Sequence, residues 1–164
     1  MTLNAIDERL AQLGIKLPAA APPMAALLTP TRLVGDRLLV SAQTPKRDGK
    51  LVFTGKVGAE HDLNAAREAT RLCALNVLAH ARAALDDDLS RIEAVIQLRG
   101  YVSVTPEFTM IAEAVNGASE LFLDVFGPVV GAHCRTAVGA ANMPFGVTAE
   151  VEAEFIVSAV KQSV

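Results

Sequence analysis

The nine residues "AEVEAEFIV" at 149–157 constrain this chain more than any other stretch. Ala149, Val151, Ala153, Phe155 and Val157 occupy the odd positions, while Glu150, Glu152 and Glu154 occupy even ones. Successive side chains of a β-strand point to opposite faces, so this pattern gives a strand with one dry face and one row of carboxylates. Helices can cover only the dry face. Neighbours on one face lie roughly 7 Å apart, and ionised carboxylates at that spacing repel unless water, hydrogen bonds or cations meet them. The row is therefore either a solvated surface or a face with something cationic set against it.

One candidate cation precedes it. In "HCRTAVGAANMPFGVTAEVEAEF", Arg135 heads a small, apolar run that ends at Pro144-Phe145-Gly146. The spacing predicts strands over 135–142 and 147–157 joined by a turn over 141–146, an antiparallel hairpin that brings Arg135 towards Glu150. A guanidinium held by a carboxylate keeps donors free, and its planar fork matches a carboxylate ligand bidentately. A strand-end salt bridge is the plainer use of the same residue.

The rest of the chain supplies what packs on the dry face. Ile6, Leu10 and Leu13 recur at helical spacing before Gly14, which marks a short amphipathic helix. Pro18, Pro22, Pro23 and Pro30 then impose an extended connector. Gly35-Asp36 and Asp48-Gly49 read as tight turns between three short strands. From the N-cap Asp62 to about Leu85 the stripe Ala65, Ala69, Leu72, Leu75, Ala79 predicts a long helix with Cys73 beside it as a small core residue. "RIEAVIQLRGYVSV" alternates as a strand, and Phe108, Ile111, Ala112, Val115, Phe122 and Val125 place a second long helix over 106–126, stopped by Gly127-Pro128. The order is β-β-β-α-β-α-β-β after an N-terminal extension of residues 1–25: an α+β domain over 26–164, with a mixed sheet and two helices on one face.

Charge and cysteine usage exclude several classes. A net charge of −3 gives no field to hold nucleic acid through its phosphates. His61, His80, His133, Cys73 and Cys134 lack the paired spacing of a zinc site, and two cysteines build no disulfide framework. "MTLNAIDERL" begins with acidic residues where a signal peptide has a basic region, and no apolar run reaches the ~20 residues of a membrane span, so the expected location is the cytoplasm.

"CRTAVGAANMPFGVTAEVEAEF" resembles the closing motif of the RidA/YjgF family of reactive-intermediate enamine/imine deaminases: an Arg near a strand start, a small/Val run, a Pro turn and an alternating Val-Glu strand. "LVSAQTPKRDGKLVFTGKVG" resembles the family's S-G-Q-x-P segment, and "REATRLCALNVLAHARAALDDDLSRI" its first helix. "IDERLAQLGIKLP" and "VNGASELFLDVFG" look most like a longer bacterial branch labelled endoribonuclease L-PSP or chorismate-mutase-like. The resemblance covers about residues 26–160. It implies a chorismate-mutase-like fold and a homotrimer whose sheets form a central β-barrel with clefts between subunits.

It also implies an activity: cofactor-free, metal-free hydrolysis of 2-imino or 2-enamino acids to 2-keto acids and ammonia. Arg135 matches the Arg that grips the substrate carboxylate, and Glu150 the Glu that positions the attacking water. Asn116 resembles a pocket Asn, and Ser41, Ala42 and Gln43 match a cleft wall. Three positions depart from the deaminase pattern: Ala42 replaces a Gly, Ala137 stands where Cys is frequent, and Leu28 where a cleft Tyr is frequent. A trimeric keto-acid binding or regulatory protein without turnover is the alternative they suggest, and an endoribonuclease is a third reading.

Overall fold

The computed structural model describes residues 5–22 and 27–158. Pro23 and the domain boundary expected after residue 25 lie outside them. Helix α1 (Ala5–Gln12) ends where Gly14 turns to φ 65°, and the Ile15 N–H donates to the Leu10 carbonyl at 2.9 Å, which satisfies an orphan carbonyl of the last turn. Strands β1 (Thr31–Val34) and β2 (Arg37–Gln43) form the expected hairpin, with Val34 opposite Arg37 across Gly35-Asp36. At the second turn Asp48 and Gly49 both have positive φ, 51° and 76°, and join β3 (Lys46–Arg47) to β4 (Lys50–Leu51) in a separate two-stranded sheet.

Helix α2 (Leu63–Ala84) starts where expected: the Asp62 carboxylate accepts from the Ala65 N–H at 2.8 Å. Its buried surface is wider than one stripe. Thr70, Cys73, Asn76, Val77, Leu78 and His80 are buried as well as Ala69 and Leu72, because α2 packs on the sheet and alongside a second helix and must satisfy both. That helix, α3 (Ile111–Val130), follows strand β5 (Ile92–Ser103) and begins later than the spacing predicts. Phe108 therefore packs from a loop, and Ala112 faces solvent. The helix breaks at Gly127, φ 78°, as Gly127-Pro128 demands, and one further turn reaches Val130.

Strand β6 (Cys134–Ala140) and strand β7 (Ala149–Val157) complete a mixed sheet of order β1-β2-β7-β5-β6. This corrects the expected hairpin: β6 pairs parallel to β5, β7 pairs antiparallel to both β2 and β5, and β5 stands between β6 and β7. The cause is the β5–α3–β6 unit, since a helical crossover returns the chain parallel to its first strand. β7, with a fully apolar face, takes the central place that buries it. The 141–148 connection passes the end of β5, where Ser103 N–H donates to Thr148 O at 2.8 Å and Val104 N–H to Ala140 O at 3.1 Å.

The core lies between the sheet and the helix pair. Leu38, Leu98, Val102, Val151 and Phe155 meet Val77, Leu78, Val115 and Phe122, with the Phe122 and Phe155 rings 5.8 Å apart. The helices approach closely at Gly117, where an added Cβ would lie 2.0 Å from the Arg67 carbonyl oxygen. The Thr70 hydroxyl bridges them, donating to Ala114 O at 2.7 Å.

Candidate functional site

The register shows what faces each carboxylate of the β7 row. Arg37 of β2 holds Glu154, its Nε donating to Oε1 at 2.6 Å. Arg99 of β5 holds Glu152 at 3.0 Å. Glu150 has neither: it is paired across β5 with Tyr101, and it lies one residue beyond the last β2 pair, Gln43 with Val151. A bulge between Val40 and Gln43 adds one residue to β2, pairing resumes at Gln43 with Val151, and the strand ends there, which leaves Glu150 without a β2 partner. Burial first, and the neighbouring Glu152 charge second, push the Glu150 carboxyl above its usual range.

Glu150 opens into a cavity of ≈ 500 Å³. Ser41, Ala42 and Gln43 supply part of its lining, and Leu28, Pro22, Pro144 and Phe145 give it apolar surface. Phe145 sits at φ 57° in the Pro144–Gly146 turn, a backbone conformation unusual for a bulky residue. His80 of α2 and Lys46 line the same cavity. His80 is 6% exposed and has no hydrogen-bond partner among the described residues. Burial, and then the Lys46 charge, hold its imidazole below the usual histidine range.

Arg135 is elsewhere. On β6 it is in register with Leu98, whose side chain faces the helices, whereas Glu150 is in register with Tyr101 on the opposite face. Its Nη1 donates to Asn116 Oδ1 at 2.7 Å and to Ser119 Oγ at 3.2 Å, both on α3. Ser119 Oγ is 3.0 Å from His133 Nε2, and His133 Nδ1 is 2.7 Å from the Gly131 carbonyl. The carbonyl can only accept, so Nδ1 carries the proton and Nε2 accepts from the serine hydroxyl. The chain of bonds holds one edge of the guanidinium and leaves Nε and Nη2 without a hydrogen bond among the described residues. Ala137, in register with Gly100, shares this face.

The expected site residues thus fall into two groups. Leu28, Ser41, Ala42, Gln43 and Glu150 surround one cavity; Asn116, Arg135 and Ala137 gather at the β6 edge, on the other face of the sheet and with β5 between. The direct approach of Arg135 to Glu150 fails with the hairpin that required it. Sequence reasoning misses His80, Lys46 and Phe145 in the first group and Ser119 and His133 in the second. Asn76 and His80 did carry a signal: they stand four apart on a helix, in line with Cys73, so they put polar groups on a buried face. Among the described residues no three His, Cys, Asp or Glu side chains come together as a metal centre requires, and no helix is long and apolar enough to cross a membrane.

A mixed antiparallel–parallel sheet with two long helices on one face defines a YjgF-like α+β protein. The family described as "YjgF/chorismate mutase-like, putative endoribonuclease" matches residues 7–153, and the chain belongs to it. It is similar to Protein TCP17 of Trypanosoma cruzi, 44% identical over 148 residues, 90% of this chain and 91% of that one. Among solved structures it resembles Atu1372 of Agrobacterium tumefaciens, a protein of unknown function, at 41% identity and TM-score 0.87 over 95% of each chain. A Shewanella oneidensis MR-1 protein carrying the endoribonuclease description matches at 31% identity and TM-score 0.89, over 94% of this chain and all of that one.

Proposed function

We propose that this protein hydrolyses 2-imino acids, and the 2-enamino acids that tautomerise to them, to 2-keto acids and ammonia, as a homotrimer with sites between subunits. The observation that carries the reading is Glu150: a half-buried carboxylate with no cation among the described residues, facing a cavity of ≈ 500 Å³. An unpaired carboxylate with a raised pKa is a stronger base than an ordinary one, as water activation requires. In the family's trimer, Arg135 of a neighbouring subunit supplies the carboxylate clamp that one chain's own Arg135 cannot bring to Glu150.

The substrate carboxylate bridges the free guanidinium edge, which orients the imine carbon. Glu150 takes a proton from water as the water oxygen bonds to that carbon of the protonated imine and the C=N pair moves to nitrogen. The proton then passes from Glu150 to the nitrogen, which leaves as ammonia as the hydroxyl gives up its proton and the carbonyl forms. Such imines are reactive unaided, so positioning and general acid–base help suffice.

The endoribonuclease description on the family fits this chain poorly, since its net charge is −3 and His61, His80 and His133 each occupy a different environment. A keto-acid binder without turnover is favoured by one observation, the methyl of Ala42 in the cavity lining. Turnover decides between them. With 2-aminoacrylate generated in situ by a dehydratase, the protein is expected to accelerate pyruvate appearance, and Glu150→Gln to slow it while 2-keto acid binding persists. Arg135→Lys keeps the charge but loses the fork, so binding weakens by roughly 1–3 kcal/mol. Wild-type protein that binds keto acids yet leaves the pyruvate rate unchanged establishes the binder instead.

A further inference from the structure

We propose that His80 is the second base of the Glu150 cavity, removing the hydroxyl proton of the tetrahedral carbinolamine as its carbon–nitrogen bond breaks. The inference rests on the imine-hydrolysis reading. Water addition by Glu150 to the protonated imine, C=NH2⁺, leaves a carbon bearing OH and NH2 with the water's proton held on Glu150. Collapse then needs an acid and a base together: Glu150 gives its proton to the nitrogen as the C–N pair leaves with ammonia, while the O–H bond breaks, its electron pair forms C=O, and the hydroxyl proton goes to an imidazole nitrogen. Ammonia then takes that proton as ammonium, which restores neutral His80. Glu150 cannot accept the hydroxyl proton until it has given up its own, so a second acceptor separates the two transfers.

Three features of the cavity place His80 in that role. It lines the same cavity as Glu150, is 6% exposed, and has no hydrogen-bond partner among the described residues. A buried imidazole with no protein partner is free for a ligand. Its helix is fixed to the cavity wall four residues earlier, where the Asn76 amide donates to the carbonyls of Thr44 at 3.1 Å and Lys46 at 3.0 Å. Among the described lining residues only Lys46 and Glu150 carry other ionisable groups. Burial and Lys46 both favour the unprotonated ring, the form a base must have at neutral pH.

The test compares wild type with His80→Gln, which keeps a hydrogen-bonding side chain but transfers no proton. The variant is expected to lose about 10²-fold or more in kcat for pyruvate formation, to bind pyruvate as wild type does, and to show one protonation instead of two on the acid side of its pH profile. A folded variant with wild-type kcat overturns the role of His80 and leaves the deaminase reading standing. Wild-type protein without turnover overturns both. Should the variant melt early, imidazole NMR of the wild type decides: the His80 ring resonances are expected to shift on adding pyruvate, and unmoved resonances overturn the proposal.

Discussion

Three glutamates spaced two apart on β7 meet two different fates, and the difference is made by residues far away in sequence. Arg37 and Arg99 neutralise Glu154 and Glu152, while Glu150 outlasts the strand that would have covered it. Because its pKa is raised in the folded protein, the unfolded chain is the stronger acid at this position. Ionisation therefore costs folding free energy as pH rises through the carboxylate range, and nothing below it. Glu150→Gln is expected to melt at a higher temperature than wild type at about pH 8, with the gap closing towards about pH 4. A gap that does not change with pH contradicts the account. The alternation that sets the row on one face was legible from the residues alone, but its partners were not, because cross-strand neighbours depend on strand order.

Elements with their own punctuation were the most readable. Asp62 caps α2, Gly14 ends α1, Gly127 breaks α3, and both two-residue turns stand where Gly-Asp and Asp-Gly placed them. β6 misled because its local pattern suits a hairpin, whereas its pairing is decided by α3, which carries the chain across the sheet before β6 begins. Gly117 shows a constraint invisible in the sequence. In an isolated helix Gly→Ala gains about 1 kcal/mol, but here the methyl would meet the Arg67 carbonyl. The helices must part to admit it, and overpacking of this kind costs about 1–3 kcal/mol. Urea denaturation of Gly117→Ala is expected to give a net loss of stability; a gain would mean that α2 and α3 slide apart freely.

At the scale of the whole molecule the family and the α+β architecture were legible, but His80, Lys46 and Phe145 of the Glu150 cavity were not, although each lies within a recognised motif. The assembly was not, since a chain's own pattern reports only that a polar face exists. Light scattering is expected to give three times 17.2 kDa, and a monomer mass removes the shared site. Arg135 and Glu150 stand on opposite faces of one sheet with β5 between them, and no hinge within that sheet can bring them together. Under the proposed shared site, mass action governs catalysis: dilution below the dissociation constant of the assembly should abolish specific activity while every chain stays folded, so the same polypeptide would score as an enzyme or as an inert domain according to its concentration.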